Sequence, residues 1–119
     1  MVEAPACAGA KIHRLLTLPV HIHTMRHFVY IMASRPCGAI YIGSTGNLRQ
    51  RVELHRSGLK GSHTDRYNIR QLVWFEEHSD RASAFTRERQ MKEWQRNWKV
   101  RLIVEVNPMW RDMTGEIPL

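Results

Sequence analysis

Two short, uninterrupted apolar runs lie near the start of the chain, residues 28–32 and 39–42, and more polar segments flank them. Both runs are rich in β-branched and aromatic residues, and the segment between them holds the turn residues Pro36 and Gly38. This pattern is typical of a β-hairpin with a loop of about five residues. A third run of the same kind, residues 71–76, predicts another strand.

A helical spacing of apolar positions predicts an amphipathic helix over residues 48–57, after the capping residues of 44–47 and before Gly58. One face of this helix combines two hydrophobic anchors with two polar residues, namely Leu48, Val52, Arg51 and His55. Because a charged group prefers water unless it is paired, Arg51 either extends to solvent at the edge of the apolar face or serves a site.

Asp80 is the predicted cap of a second helix, over about residues 81–97. Glu88 lies within the apolar stripe of this helix, on the same side as Phe85. A carboxylate that faces inward must be paired, protonated or bound to a cation. An ion pair with Arg51 and a role as metal ligand both fit this position.

Residues 98–106 have a mixed pattern that fits a short helix or a strand, and an Asn-Pro pair closes it. Trp110 is expected to pack back onto the preceding elements. We predict one domain over residues 25–113, preceded by a poorly ordered extension, residues 1–24, and followed by a frayed tail, residues 114–119.

The composition adds a strong positive charge to this picture. The chain of 119 residues has 18 Lys and Arg against 11 Asp and Glu, a formal net charge of +7, which indicates a polyanionic partner such as nucleic acid or else a generic basic surface. The apolar runs are too short to span a bilayer. The two cysteines form no Cys-x-x-Cys pair and support neither a disulfide framework nor a zinc site, so a cytoplasmic location is expected.

A polar loop follows the first predicted helix, over residues 59–68. It combines positive charges with one aromatic residue, which suits phosphate contact and base stacking, and its candidate nucleic-acid-binding residues are Lys60, His63, Arg66 and Tyr67. An ordinary surface loop is nearly as consistent with this composition.

The motifs together resemble those of the GIY-YIG endonuclease family, and in particular its small stand-alone bacterial UvrC-like or YhbQ-like group. The second signature, Tyr41-Ile42-Gly43, is complete, whereas Phe28-Val29-Tyr30 keeps only the tyrosine of the first. Six segments occur in the family's order at compatible spacing, namely residues 28–32, 39–45, 48–52, 55–58, 87–94 and 107–112.

This resemblance implies an α+β fold, in which a three-stranded antiparallel sheet is flanked by helices. It also implies hydrolysis of DNA phosphodiesters with a single divalent cation, Mg²⁺ or Mn²⁺, that Glu88 binds. By position in the motifs, Arg51 is the phosphate-binding arginine and Tyr30 the general base. The full implied catalytic set is Tyr30, Tyr41, Arg51, His55, Glu88 and Asn107.

We therefore expect a DNA endonuclease that acts on particular DNA structures or in repair. It would work as a monomer without a membrane or a small-molecule cofactor, and a protein partner for targeting would suit a lone small domain. One alternative is a non-catalytic nucleic-acid-binding module that keeps the nuclease fold. Another is a protein-interaction adaptor.

Overall fold

A computed structural model of the chain describes residues 26–57 and 66–118. The predicted extension, residues 1–24, lies outside this part of the chain. The elements, in chain order, are β1 (His27–Ala33), β2 (Ile40–Thr45), α1 (Leu48–Ser57), β3 (Gln71–His78), α2 (Arg81–Glu93), α3 (Arg96–Val106) and a 3₁₀ turn (Thr114–Glu116).

The three strands form one antiparallel sheet in the order β2-β1-β3. The predicted hairpin is confirmed, and its register pairs Tyr30 with Gly43 and Met32 with Tyr41. Because side chains opposite each other in a ladder point to the same face, the register brings both tyrosines to one side of the sheet. The predicted α+β class, with a three-stranded antiparallel sheet flanked by helices, is confirmed.

The strand β1 is buried on both faces, and its side chains divide the core into two clusters. One cluster joins Tyr30 and its same-face neighbours to Leu48 and Val52 of α1. The other joins the opposite face of β1 to buried residues of α2 and α3. The sheet therefore lies between α1 on one side and α2 with α3 on the other.

Three details differ from the sequence prediction. The second helix ends at Glu93, because Trp94 and Gln95 have extended backbone conformations, and a new helix starts at Arg96. The tail predicted to fray instead forms the 3₁₀ turn, and Ile117 is buried in the same core cluster as Tyr30. Cys37 is disulfide-bonded, although the sequence supported no disulfide framework.

Two other local predictions are confirmed. The carboxylate of Asp80 caps α2 by accepting a hydrogen bond from the backbone N–H of Ser83 at 2.7 Å. Trp110 is buried against the core, as expected. None of the described helices has the length and apolar character needed to cross a membrane.

Candidate active site

Two tyrosines and a histidine meet on the α1 side of the sheet. Tyr30 is fully buried, and its hydroxyl lies 3.1 Å from Nε2 of His55, in hydrogen-bond contact. The ring centroid of Tyr41 lies 6.3 Å from that of Tyr30 and 5.2 Å from that of His55. The hairpin and α1 thus bring three of the predicted site residues into mutual contact.

Gly43 makes room for this cluster. A Cβ atom at this position would lie 2.5 Å from the hydroxyl oxygen of Tyr30 and 2.7 Å from its Cζ. Any other residue would therefore have to displace a fully buried ring. This contact gives a physical reason for the glycine of the second signature, whereas Phe28 of the first packs in the core, edge-on to Phe75.

Arg51 supplies positive charge to the same cluster. Burial raises the pKa of the Tyr30 phenol and the neighbouring Tyr41 raises it further, whereas the charge and hydrogen bond of Arg51 lower it. Burial also lowers the pKa of the His55 imidazole, and Arg51 lowers it further. Tyr30 and His55 are therefore both neutral at pH 7, with an arginine close enough to act on each.

Glu88 approaches from the opposite side of the sheet, on α2. Its Oε1 accepts a hydrogen bond of 2.6 Å from the hydroxyl of Ser44, the residue that follows Gly43 on the edge strand β2. Its Oε2 forms an ion pair of 2.6 Å with Nζ of Lys92, one helical turn further on. The negative charge of Glu88 also contributes to raising the pKa of Tyr30, so the carboxylate lies within electrostatic reach of the tyrosine cluster.

The inward position predicted for Glu88 is confirmed, since its side chain is only 13% exposed. The partner that the structure gives it is Lys92 rather than the Arg51 that the sequence suggested. Phe85, predicted to lie on the same apolar stripe, is instead 51% exposed.

A divalent cation at this site would have one carboxylate ligand from the protein. In the part of the chain that the structure describes, no group of three or more His, Cys, Asp or Glu side chains could hold a metal. Mg²⁺ commonly binds through one or two carboxylates and keeps several waters, so Glu88 alone is a sufficient protein ligand. The ammonium of Lys92 lies at Oε2 of this carboxylate, so a divalent cation would compete with Lys92 for that oxygen.

Asn107 has a different environment from the predicted catalytic set. Its Nδ2 donates to the carbonyls of Val73 and Arg111, and its Oδ1 accepts from the N–H of Arg111. Both amide hydrogens are therefore used by the backbone, and Val73 lies at a register shift of the β1–β3 ladder. These contacts give the Asn107 side chain a structural role in joining β3 to the turn after α3, and its catalytic role stays a prediction.

The structure describes only part of the predicted nucleic-acid-binding loop. Lys60 and His63 lie outside the described residues. Arg66 and Tyr67 are exposed, and Tyr67 has half of its surface open to solvent. Their contact with DNA stays a prediction.

Two residues that contact Glu88, namely Ser44 and Lys92, were not predicted from the sequence as its partners. Ser44 looked like a helix cap, but it belongs to β2 and bonds to Glu88 across 44 positions of sequence. No local signal could reveal a partner that distant. Lys92 could have been found, because a lysine four residues after a glutamate on a helix is a favourable ion-pair spacing.

Comparisons with known proteins identify the family of the chain. The sequence profile described as the GIY-YIG catalytic domain matches residues 26–101. A UPF0213 protein of Staphylococcus aureus is 34% identical over 79 residues, which cover 66% of this chain and 95% of the relative. A UPF0213 protein of Clostridium perfringens is 32% identical over 77 residues, covering 65% of this chain and 82% of the relative.

No solved structure gives a significant match. The profile nevertheless covers more than half of the chain, and the matched residues include the sheet, α1 and α2. The chain therefore belongs to the GIY-YIG family, and it is homologous to its small bacterial UPF0213 proteins.

Proposed function

We propose that this protein is an endonuclease that hydrolyses DNA phosphodiester bonds with the help of a divalent cation, Mg²⁺ or Mn²⁺. The observation that carries the proposal is the meeting of Tyr30, His55 and Arg51 with an electrostatically coupled Glu88 across the edge strand. A protein that only bound nucleic acid would have no need of a largely buried carboxylate beside a neutral tyrosine–histidine pair.

The proposed substrate group is a phosphodiester, whose own negative charge repels a nucleophile. A cation bound by Glu88 would offset that charge and orient the scissile phosphate. Arg51 would stabilise the additional charge that develops on the phosphorus oxygens in the transition state, a role typically worth about 3–4 kcal/mol. The positive charge of the chain would draw the DNA backbone to this face.

The proton on the attacking water needs an acceptor. Burial raises the pKa of Tyr30, so at pH 7 its phenol carries a proton and cannot act as a base alone. We assign the missing acceptor to His55, whose Nε2 lies 3.1 Å from the hydroxyl. Tyr30 is buried in the unbound protein, so substrate binding would have to admit a water to its hydroxyl. Tyr30 would then pass its own proton to Nε2 as it takes one from that water, and the resulting hydroxide would attack phosphorus.

This relay uses the two pKa shifts together. The lowered pKa of His55 keeps it neutral, and therefore able to accept a proton, at pH 7. Tyr41, in ring contact with both residues, would hold them in this arrangement. The leaving 3′ oxygen would take its proton from solvent.

Cleavage of a panel of labelled DNAs tests the proposal: duplex, single strand, bubble and branched forms, each with Mg²⁺, Mn²⁺ or EDTA. We expect metal-dependent nicking that falls by about 100-fold or more in Arg51→Ala and Glu88→Ala. Matched controls are Arg35→Ala and Glu93→Ala, which remove the same charges from exposed positions and should keep the activity.

Equal cleavage in EDTA, or cleavage that survives Glu88→Ala, would overturn the proposal. Salt-dependent DNA binding without cleavage of any substrate would also overturn it, in favour of a non-catalytic binding module. Undetectable DNA affinity at low salt would favour the adaptor.

A further inference from the structure

The exposed face of α2 next to Glu88 carries an aromatic side chain that the fold does not use. Phe85 is 51% exposed, although its position in the helix predicts an apolar anchor. The described core clusters contain Ala84 and Met91 of this helix but not Phe85. A half-exposed phenyl group contributes little to folding, and a single one on a surface is ordinary, so a functional role would have to depend on its neighbours.

Cations surround this phenyl group on the same face. At about 100° per residue, Arg81, Arg89 and Lys92 all lie within about 40° of Phe85 around the helix axis. All three are exposed. The guanidinium of Arg89 lies over the ring, with its Cζ 5.6 Å from the ring centroid. The face therefore combines one flat apolar surface with three positive charges.

Glu88 lies at the inner border of this exposed face. It lies about 60° from Phe85 around the axis and about 4.5 Å further along it. Its ion pair with Lys92 ties the catalytic carboxylate directly to the exposed cations. A ligand that reached Phe85 would thus contact the immediate surroundings of the proposed phosphate site.

We propose that Phe85, with Arg89 over its ring, is a stacking subsite for an unpaired base of the DNA strand that is cut. This inference rests on the proposed function, and it adds a substrate class: DNA with an unpaired nucleotide next to the scissile phosphate. The charges of Arg81, Arg89 and Lys92 complement the phosphates on either side of that base.

Base pairing decides whether a base can use such a surface. In a duplex both faces of a base are covered by its neighbours, whereas an unpaired base can stack on an aromatic ring. Each base stacked on a protein aromatic contributes about 1–3 kcal/mol to binding. The subsite should therefore distinguish unpaired DNA from duplex, while the surrounding cations bind both.

Fluorescence anisotropy with labelled dT₂₀ and with a duplex of the same length tests the proposal. All proteins carry Glu88→Gln so that no DNA is cut during the titration. We expect Phe85→Ala to weaken binding of dT₂₀ by about 5- to 100-fold and binding of the duplex by less than about twofold. Phe85→Trp should restore the affinity for dT₂₀.

The matched control is Trp98→Ala, which removes an equally exposed aromatic side chain, 52% exposed, from α3. It should leave the preference for dT₂₀ unchanged. Because Phe85 is half exposed, its replacement should not lower the thermal midpoint, which circular dichroism would verify. Equal losses for dT₂₀ and duplex, no loss in Phe85→Ala, or an equal loss in Trp98→Ala would overturn the subsite.

Cleavage by the protein with Glu88 intact separates this inference from the proposed function. If the wild-type protein cuts DNA and Phe85→Ala cuts bubble and duplex DNA in the wild-type ratio, the subsite is wrong and the nuclease assignment stands. If the wild-type protein cuts no DNA, and Phe85→Ala binds dT₂₀ more weakly than the protein with Phe85, the nuclease assignment is wrong and the stacking surface stands.

Discussion

Replacement of Gly43 by alanine tests how tightly the tyrosine cluster is packed. The new Cβ would lie 2.5 Å from the hydroxyl oxygen of Tyr30, 2.7 Å from Cζ and 3.1 Å from Cε1. Tyr30 has no exposed surface and bonds to His55, so the ring cannot swing into solvent. Overpacking of this kind costs about 1–3 kcal/mol, and we expect the upper half of that range.

Urea unfolding followed by tryptophan fluorescence would measure this cost. Gly115→Ala is the matched control, because a Cβ there meets nothing within 4 Å, and it should change the free energy of unfolding by less than about 0.5 kcal/mol. Adding Tyr30→Phe to Gly43→Ala removes the contact to the hydroxyl but leaves that to Cζ, so the double variant should recover part of the loss. A Gly43→Ala variant as stable as Gly115→Ala would refute the packing argument.

Three further predictions concern the surroundings of the site. Lys92→Met should bind Mn²⁺ about two- to fivefold more tightly than the wild-type protein, because the substitution removes a cation that competes for Glu88. Electron paramagnetic resonance would measure the Mn²⁺ affinity, and equal or weaker binding would contradict this competition. Burial lowers the pKa of His55 in the folded protein, so the unfolded chain binds more protons and the free energy of unfolding should fall as the pH drops below about 6.5. His55→Gln should make the free energy of unfolding, measured by urea titration, depend less on pH. An unchanged dependence on pH would contradict this prediction. Asn107→Ala should cost about 1–3 kcal/mol of stability, because it removes the amide that donates to the carbonyl of Val73. We expect the variant to keep its cleavage rate well below its unfolding temperature, and a selective loss of rate would instead support the predicted catalytic role.

Local pattern predicted the elements well, because each depends on residues close together in sequence. The hairpin follows from β-branched and aromatic runs around turn residues, α1 from helical spacing, and the Asp80 cap from capping chemistry. The register of that hairpin then brings Tyr30 and Tyr41 to one face of the sheet. The motifs were also sufficient to identify the family.

The parts that sequence could not predict depend on three-dimensional packing. A helical wheel places Phe85 and Glu88 on one stripe, but it does not reveal which edge of the stripe the sheet covers. The residues after position 113 were predicted to fray because they include Gly115 and Pro118, whereas the structure buries Ile117 in the core. Asn107 matched a motif, but its role depends on carbonyl groups of Val73 and Arg111 that only the fold brings to it.

Cleavage by Glu88→Gln tests the central claim most directly. The substitution keeps the shape of the side chain and its hydrogen-bond acceptor for Ser44, but it removes the charge that would hold a cation. The measurement is single-turnover cleavage of a 5′-labelled bubble DNA with Mn²⁺, at protein concentrations that saturate the DNA. We predict cleavage by the wild-type protein and a rate at least about 100-fold lower in Glu88→Gln, with DNA affinity retained. Equal cleavage rates for the two proteins would contradict a nuclease site built around Glu88.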